Sequence, residues 1–239
     1  MKIFQKIYAD PERVAEQFAR HLAEWMAESE QEHFHIALSG GSTPRLLFDL
    51  LARDYANKFP WDIMHFWWGD ERCVPPDDAD SNFGMTRKHL LDHIDIPEGN
   101  IHRVRGENDP ATEAIRYGKT IQEFLPIRNG WPVFDLIMLG LGTDGHTASI
   151  FPHQMELLED PNVCVVATHP DSGQKRISLS GGVINEGERI AFLATGVSKA
   201  EKYSEIVEQK GSFESYPASY IHPEKGELYW FIDQAAAGQ

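Results

Sequence analysis

The sequence predicts an α/β fold in which a doubly wound, mostly parallel sheet of the Rossmann-like kind carries helices on both faces. Short, nearly continuous apolar runs alternate along the chain with segments of helical periodicity. Runs that are apolar on both faces are typical of parallel strands covered by helices on each side. The 239 residues, 41% of them hydrophobic, are enough for one sizeable core, so residues 1–239 are predicted to form a single domain.

The first half of the chain is predicted to open with a long helix. Asp10 and Pro11 are typical of a helix start. The apolar residues Val14, Phe18 and Leu22 then recur at helical spacing, which indicates an amphipathic helix of about 18 residues. The elements predicted after it are a strand at 33–39, a helix opened by Pro44, a strand at 63–70, and a helix capped by Ser81-Asn82 and reaching Leu90 and Leu91.

The second half is predicted to add further strands to the same sheet. The runs at 133–141, 163–169 and 189–196 are all apolar, which indicates three more buried parallel strands. The other predicted elements are a helix at 110–124, a helix at 198–209 and a strand at 227–233.

Charge and cysteine content exclude several classes of function. The formal net charge of −15 argues against nucleic acid and anionic membrane as partners, because both need a basic face. An acidic chain can still bind an anionic small molecule through backbone N–H groups and a few Arg or Lys residues. We expect a cytoplasmic protein, because no leader pattern or membrane-spanning apolar run is present in the sequence. Cys73 and Cys164 form no CxxC pair and are predicted to be reduced thiols.

In an open parallel sheet, ligands gather at the carboxyl ends of the strands, so the loops after strands are the first candidates for a site. The segment SGGSTP (39–44), called the glycine loop below, follows a predicted strand. Gly40 and Gly41 would let the backbone approach a ligand, and Ser42 and Thr43 would add hydroxyls at a helix N-terminus, where phosphate binds well. The loop lacks the GKS and GxGxxG patterns of ATP and NAD sites. A simple capped tight turn explains it equally well.

The segment GDER (69–72) comes immediately after HFWW, the aromatic part of the predicted strand at 63–70. A carboxylate beside an arginine at a strand end can orient a hydroxylated substrate or hold an anion. If the extended geometry continues, Asp70 and Arg72 share one side and Glu71 points away. The alternative is that these charges are simply solvated.

The segment GLGTDGHTAS (140–149) places His146 where the strand at 133–141 is expected to give way to a helix. The helix N-terminus would disfavour a charged imidazole, and Asp144 would act in the opposite direction. Histidine exchanges a proton near neutral pH, so His146 could be a general base. Asp144 could fix its tautomer by accepting the ring N–H.

Missing motifs narrow the chemistry further. The sequence has no GxSxG nucleophile elbow, no HExxH and no paired CxxC, so it predicts neither an acyl-enzyme nor a metal. The pairs His89/His93 and His33/His35 lack an evident third ligand. Among the basic residues near inferred loops, Lys199 and Arg176 are favoured as phosphate ligands over Arg45 and Arg87.

Four segments, in this order, resemble the 6-phosphogluconolactonase family: LSGGSTP, GDERCVPPDDADSNFGM, FDLIMLGLGTDGHTASIFP and RISLSGGVINEGERIAFLATGVSKA. PAS (217–219) and LYWFIDQAAA extend the resemblance toward the C-terminus. Two departures are Gly181-Gly182 and Gly118, where the family more often has other residues.

The resemblance implies a phosphorylated sugar lactone as the small-molecule partner and hydrolysis without metal or organic cofactor. It also implies that His146 is the general base, that Asp70 and Arg72 border the lactone, and that Lys199 and Arg176 bind phosphate. The sequence makes no prediction about the oligomeric state.

Two alternatives remain at this point. The amino-sugar-phosphate isomerase/deaminases also carry a DGH loop after a strand, but Arg72 and residues 147–149 depart from their usual pattern. A non-catalytic sugar-phosphate sensor would keep the fold without turnover, although regulators of that kind commonly add a basic DNA-binding part.

Overall fold

The computed structural model describes residues 2–29 and 31–239 and consists of a main parallel sheet, two small antiparallel sheets and surrounding helices. The main sheet has the order β1-β11-β10-β7-β2-β3, and its neighbouring strands are parallel. The strands in chain order are β1 (Lys2–Tyr8), β2 (Phe34–Leu38), β3 (Met64–Trp68), β4 (Asp70–Arg72), β5 (Ile127–Arg128), β6 (Trp131–Pro132), β7 (Leu136–Leu139), β8 (Cys164–Thr168), β9 (Lys175–Leu179), β10 (Arg189–Ala194) and β11 (Glu227–Asp233).

The helices are α1 (Pro11–Glu28), α2 (Ser42–Leu50, continued by a π-helical turn over Leu51–Tyr55), α3 (Asn82–His89), α4 (Pro110–Phe124), α5 (Gly181–Glu186) and α6 (Ala200–Glu208). The start of α1 is as predicted, because Asp10 accepts a hydrogen bond from the Arg13 N–H and Pro11 is the first helical residue. No helix in the described ranges is both long and apolar enough to cross a membrane.

The centre of the main sheet is covered on both faces. Every residue of β2, β3 and β7 is buried, which requires packed side chains above and below these strands. The predicted fold class, an α/β fold built on a mostly parallel sheet, is therefore confirmed.

The strand order reverses direction between β2 and β7. From β2 the chain moves outward to β3 at one edge, whereas β10 and β11 lie on the other side of β7. The carboxyl ends of β2 and β7 therefore mark a switch point in the strand order, and a crevice lies between the loops that follow them. This is the position at which open α/β sheets bind ligands.

The segment 163–169 does not join the main sheet as predicted. Its strand, β8, belongs to an antiparallel sheet of order β4-β9-β8. A short turn joins β8 to β9 and forces the chain to return antiparallel, with a hydrogen bond from the His169 N–H to the Gln174 carbonyl at 2.9 Å. The strands β9 and β1 were not predicted, because their polar and apolar residues do not form a continuous apolar run.

A cluster of histidines lies at the amino ends of β2 and β3, on the edge of the sheet opposite the crevice. His35 and His65 face each other across the two strands and are each 6% exposed. His65 Nδ1 lies 3.0 Å from Nε2 of His102, and the His102 ring stacks on Trp67 with a centroid distance of 3.9 Å. Trp67 Nε1 donates to His35 Nδ1 at 3.2 Å. This geometry uses His35 as a neutral acceptor.

Burial, followed by repulsion from the neighbouring histidines, lowers the pKa of His35 to about 3, and burial followed by His65 lowers the pKa of His102 to about 4. Burial raises the pKa of Asp135, which accepts from the His35 N–H, to about 6. Below pH 6.5 these histidines bind protons in the unfolded chain but stay neutral in the folded protein. The free energy of unfolding therefore decreases as the pH falls below that value. Asp135 acts in the opposite direction at intermediate pH and offsets part of the loss.

The cluster predicts acid sensitivity that a single substitution can reduce. The free energy of unfolding, measured by urea titration, should fall between pH 7.5 and pH 5, and His35→Asn should make that fall smaller by about 1–2 kcal/mol. Asparagine retains an acceptor for the Trp67 N–H. The exposed His222→Asn is the control and should keep the wild-type pH dependence. A His35→Asn variant with an undiminished pH dependence would contradict this account.

Candidate active site

A cleft of about 280 Å³ lies in the crevice at the carboxyl ends of β2 and β7. The glycine loop, the start of β4 and the 140–149 segment all reach it, because each of them follows the carboxyl end of a main-sheet strand. Seven of the predicted site residues line it: Gly40, Gly41, Asp70, Arg72, His146, Arg176 and Lys199.

The 140–149 segment forms tight turns and not the expected start of a helix. The Gly142 N–H donates to the His146 carbonyl at 2.8 Å, and the Gly145 N–H donates to the Gly142 carbonyl at 3.1 Å. Gly145 has φ +87° and Ala148 has φ +47°, so a helix cannot propagate through this segment. The expected influence of a helix dipole on His146 was therefore wrong.

Tyr216 supports this turn from below. A side chain at Gly145 would collide with the Tyr216 ring, since its Cβ would lie 2.4 Å from a ring carbon. The Ala218 N–H also donates to the Gly145 carbonyl at 3.1 Å. Lys202 Nζ donates to the Tyr216 hydroxyl at 2.8 Å, and that hydroxyl donates to Glu205. Residues distant in sequence thus fix the turn that carries His146.

Asp144 and His146 form a hydrogen-bonded pair. Nδ1 of His146 lies 2.6 Å from Oδ1 of Asp144, and the same oxygen accepts the His146 backbone N–H at 3.1 Å. Burial acts to raise the pKa of Asp144, but the hydrogen bond and the charge of His146 outweigh it and hold the pKa at about 2. A carboxylate on Nδ1 assigns the proton to that nitrogen and leaves Nε2 as the ring atom that can accept another.

Asp70 and Arg72 face the cleft, and Glu71 points away into the protein, as the extended geometry predicts. Asp70 is 6% exposed and accepts from the Ser149 hydroxyl at 2.6 Å. Arg72 Nη1 donates to the Asp80 carbonyl at 2.5 Å. Each cleft-facing group is therefore held from behind by a neighbouring loop.

Arg72 and Arg176 are directly opposite each other on β4 and β9. Neither guanidinium forms an ion pair with a carboxylate in the described part of the chain, and Nε of each is buried without a hydrogen-bond partner. Burial, and then the charge of Arg72, lowers the pKa of Arg176. Two adjacent cations without a paired carboxylate attract an anion.

Lys199 adds a third cation to the cleft. Burial lowers its pKa, while the Asp144 carboxylate acts in the opposite direction. Lys199 follows Gly196, which has φ +90° and turns the chain back after β10. The cleft thus combines three cations with a carboxylate–histidine pair, an arrangement suited to an anionic, hydroxylated ligand.

Ser42 and Thr43 of the glycine loop, both predicted site residues, do not line the cleft. Ser42 opens onto an adjacent cavity of about 240 Å³, together with Arg45. Thr43 is buried, and its hydroxyl lies 2.8 Å from that of Thr195. Arg87 lines a separate surface groove. Gly41, with φ +108°, precedes α2 without any side-chain cap, so the first N–H groups of α2 remain available to a ligand at this end of the cleft.

Asn82 lines the cleft as well, although the sequence analysis assigned it only a helix-capping role. Its side chain is buried and donates to the Asp70 carbonyl at 2.9 Å. The sequence signal for Asn82 was its place in SNFGM (81–85), within the GDERCVPPDDADSNFGM segment that carries the family resemblance. Ser149, which holds Asp70, was missed as well.

No group of three or more His, Cys, Asp or Glu side chains within residues 2–29 and 31–239 is arranged to hold a metal ion.

Comparisons with known proteins agree on one family. The sequence profile described as glucosamine-6-phosphate isomerases/6-phosphogluconolactonase matches residues 9–230. A protein of Haemophilus influenzae named 6-phosphogluconolactonase is 48% identical over 215 residues, which cover 89% of this chain and 90% of that protein.

Two solved structures share the fold over nearly the whole chain. The crystal structure of a protein named devB has a TM-score of 0.93 at 44% identity and covers 99% of this chain and 98% of the other. A 6-phosphogluconolactonase from Trypanosoma brucei has a TM-score of 0.88 at 28% identity, with coverage of 99% and 98%.

Proposed function

The chain belongs to the glucosamine-6-phosphate isomerase/6-phosphogluconolactonase family, and we propose that it hydrolyses 6-phospho-D-glucono-1,5-lactone to 6-phospho-D-gluconate. Relatives at 46–48% identity that cover about nine tenths of the chain bear the name of this activity. The observation that carries the proposal is that His146, hydrogen-bonded to Asp144, lines one cleft with three cations. A lactone that bears a phosphate needs a base at one end and cations at the other.

In the proposed reaction, Nε2 of His146 removes a proton from a water molecule as the water oxygen attacks the lactone carbonyl carbon. Asp144 keeps the Nδ1–H in place and stabilises the imidazolium that forms. The C–O bond to the ring oxygen then breaks, and His146 returns the proton to that oxygen. Water and lactone are consumed, and one hydroxy acid is formed.

No protein nucleophile is needed, because a lactone is already an activated ester. Two hydroxyl residues, Thr147 and Ser149, follow His146 closely in sequence. Ser149 is fully buried and donates to Asp70. Thr147 is also fully buried and donates to the Gly140 carbonyl at 2.9 Å. Both hydroxyls are committed to structural hydrogen bonds, which favours direct attack by water.

The cations would divide two tasks. Lys199 and Arg176, with the uncapped N-terminus of α2 after Gly41, would bind the phosphate. Arg72, next to Asp70, would border the lactone and stabilise the developing oxyanion. Fixing the phosphate end orients the carbonyl toward the base, which is the usual use of remote binding energy.

We propose that residues 1–239 act as one domain in the cytoplasm on a small-molecule substrate. The net charge of −15 supports a small anionic ligand bound by local cations and disfavours nucleic acid as a partner.

The other activity named in the family is isomerisation of an amino-sugar phosphate. Release of ammonia from glucosamine 6-phosphate by the wild-type protein, with no acceleration of lactone loss, would replace our proposal by that activity. A protein that bound the lactone but accelerated neither reaction would be a sensor.

His146→Asn is expected to lower kcat for the lactone by about 10²- to 10⁴-fold, because it removes the base but keeps a polar side chain of similar reach. KM should stay within about threefold of the wild-type value, since the cations are untouched. The measurement is a stopped assay of phosphogluconolactone consumption. His153→Asn, an exposed histidine that stacks on the same Phe151 ring, is the matched control and should retain full activity. An unchanged kcat in His146→Asn would rule out the mechanism.

Lys199→Ala is expected to raise KM for the phosphorylated lactone by about tenfold or more, because a charge-assisted contact to phosphate is lost. For the unphosphorylated glucono-1,5-lactone, the same variant should have the wild-type kcat and KM, since that lactone has no phosphate for Lys199 to bind. Steady-state kinetics with both lactones test this, with the exposed Lys225→Ala as the control. Equal effects on the two lactones would show that Lys199 does not bind phosphate.

A further inference from the structure

We infer that Asn82 is a positioning residue that ties the glycine loop to β4 and thereby sets the affinity of the cleft for substrate. The inference rests on the proposed function for the nature of that substrate. Asn82 acts through the two segments it joins, so it differs from the groups assigned above to catalysis and phosphate binding.

The first contact of Asn82 is with β4. Its Nδ2 donates to the Asp70 backbone carbonyl at 2.9 Å, and the residue is 3% exposed. Asp70 lies two residues before Arg72 on the strand that forms one wall of the cleft. The Asn82 amide therefore holds the start of this strand.

The second contact is with Gly40 in the glycine loop. A Cβ at Gly40 would lie 1.9 Å from Oδ1 and 2.5 Å from Cγ of Asn82, distances that no real Cβ contact shows. Gly40 does not have a positive φ, so its backbone conformation is open to other residues. The amide of Asn82, and not backbone strain, is what requires glycine at this position.

Glu71 fixes the position from which Asn82 reaches these two segments. Its carboxylate is 2% exposed and accepts from the backbone N–H groups of Asn82 and Phe83, each at 2.7 Å. It also accepts from the Arg72 N–H at 2.8 Å and the Ser81 hydroxyl at 3.2 Å. One buried carboxylate thus joins the start of α3 to β4.

These contacts make a specific kinetic signature. Asn82 has no hydrogen bond to Asp144 or His146 among the described residues, and the pair belongs to a different loop. Loss of the amide should therefore displace the substrate-holding walls and leave the base intact. A merely destabilised protein would lose active molecules, which lowers apparent kcat at constant KM.

The test begins with Asn82→Ala in steady-state assays of the phosphorylated lactone. We expect KM to rise about tenfold and the pH profile to stay unchanged, while kcat falls by less than about tenfold because Arg72 shifts with β4. Asn100→Ala is the matched control, because Asn100 also donates from Nδ2 to a distant backbone carbonyl, that of Asp62 at 2.8 Å, but lies outside the cleft. A wild-type KM in Asn82→Ala, with or without a lower kcat, overturns the inference.

A double-mutant cycle tests the contact with Gly40 directly. Gly40→Ala alone should raise KM more than Asn82→Ala does, because the new methyl group overlaps the amide. In Gly40→Ala/Asn82→Ala the methyl occupies the vacated space, so KM should return to about the Asn82→Ala value. If Asn82→Ala folds poorly because of the space left by the amide, the double variant, in which the methyl group at position 40 fills that space, still allows the measurement. A double-variant KM equal to the product of the two single effects overturns the coupling.

Calorimetric titration with 6-phosphogluconate gives a readout besides turnover. The affinity of the protein for this acid should be about tenfold weaker in Asn82→Ala than in the wild type. Wild-type protein that neither binds this acid nor hydrolyses the lactone would overturn the proposed function. Wild-type protein that does both, beside an Asn82→Ala variant with unaltered KM and affinity, would overturn only the role of Asn82.

Discussion

The parallel pairing of β2 with β7, in which Ile36 lies opposite Leu136 and Ala37 opposite Ile137, is the constraint on which the site depends. It sets two carboxyl strand ends side by side, and the next main-sheet strand in chain order, β3 or β10, lies on opposite sides of the pair. The glycine loop and the 140–149 segment can meet only there. The apolar character of both strands therefore has a chemical consequence, because it places a base-bearing turn beside a loop with free backbone N–H groups.

The small antiparallel sheet completes the cleft by branching from the main sheet at Gly69. The Gly69 N–H donates to the Leu38 carbonyl at 2.9 Å, and its own carbonyl accepts from the Leu179 N–H at 2.8 Å. One residue thus belongs to the hydrogen bonding of both sheets. Beyond it, strand alternation turns Asp70 and Arg72 toward the cleft and Glu71 toward α3. One side of β4 thus faces the cleft, and the other places the buried Glu71 carboxylate against the start of α3.

Much of the main sheet could be predicted because its central strands are buried on both faces and read as unbroken apolar runs. The pairing of β8 could not be predicted, because an apolar run indicates a buried strand but not the sheet that it joins. The short turn after β8 makes it pair with β9 and not with the main sheet. The expected helix after β7 failed for a local reason, the positive φ angles at Gly145 and Ala148. The pairing of Asp144 with His146 could be proposed from their spacing, whereas the position of Asn82 depends on a contact with Gly40, 42 residues earlier, that no local pattern records.

The pairing of β1 has a consequence for how the protein is made. Residues 2–8 contact only β11 within the main sheet, in a register that joins Lys2 to Glu227 and Tyr8 to Asp233. During translation, therefore, this strand leaves the ribosome with no partner and must wait for more than two hundred residues of synthesis. The turn at Gly145 likewise lacks its packing partner until Tyr216 has been synthesised. A nascent chain that ends before Tyr216 contains the central strands of the main sheet, but β1 has no β11 to pair with and the turn that carries His146 has no Tyr216 beneath it. Truncated products of this protein should therefore be inactive and prone to aggregation.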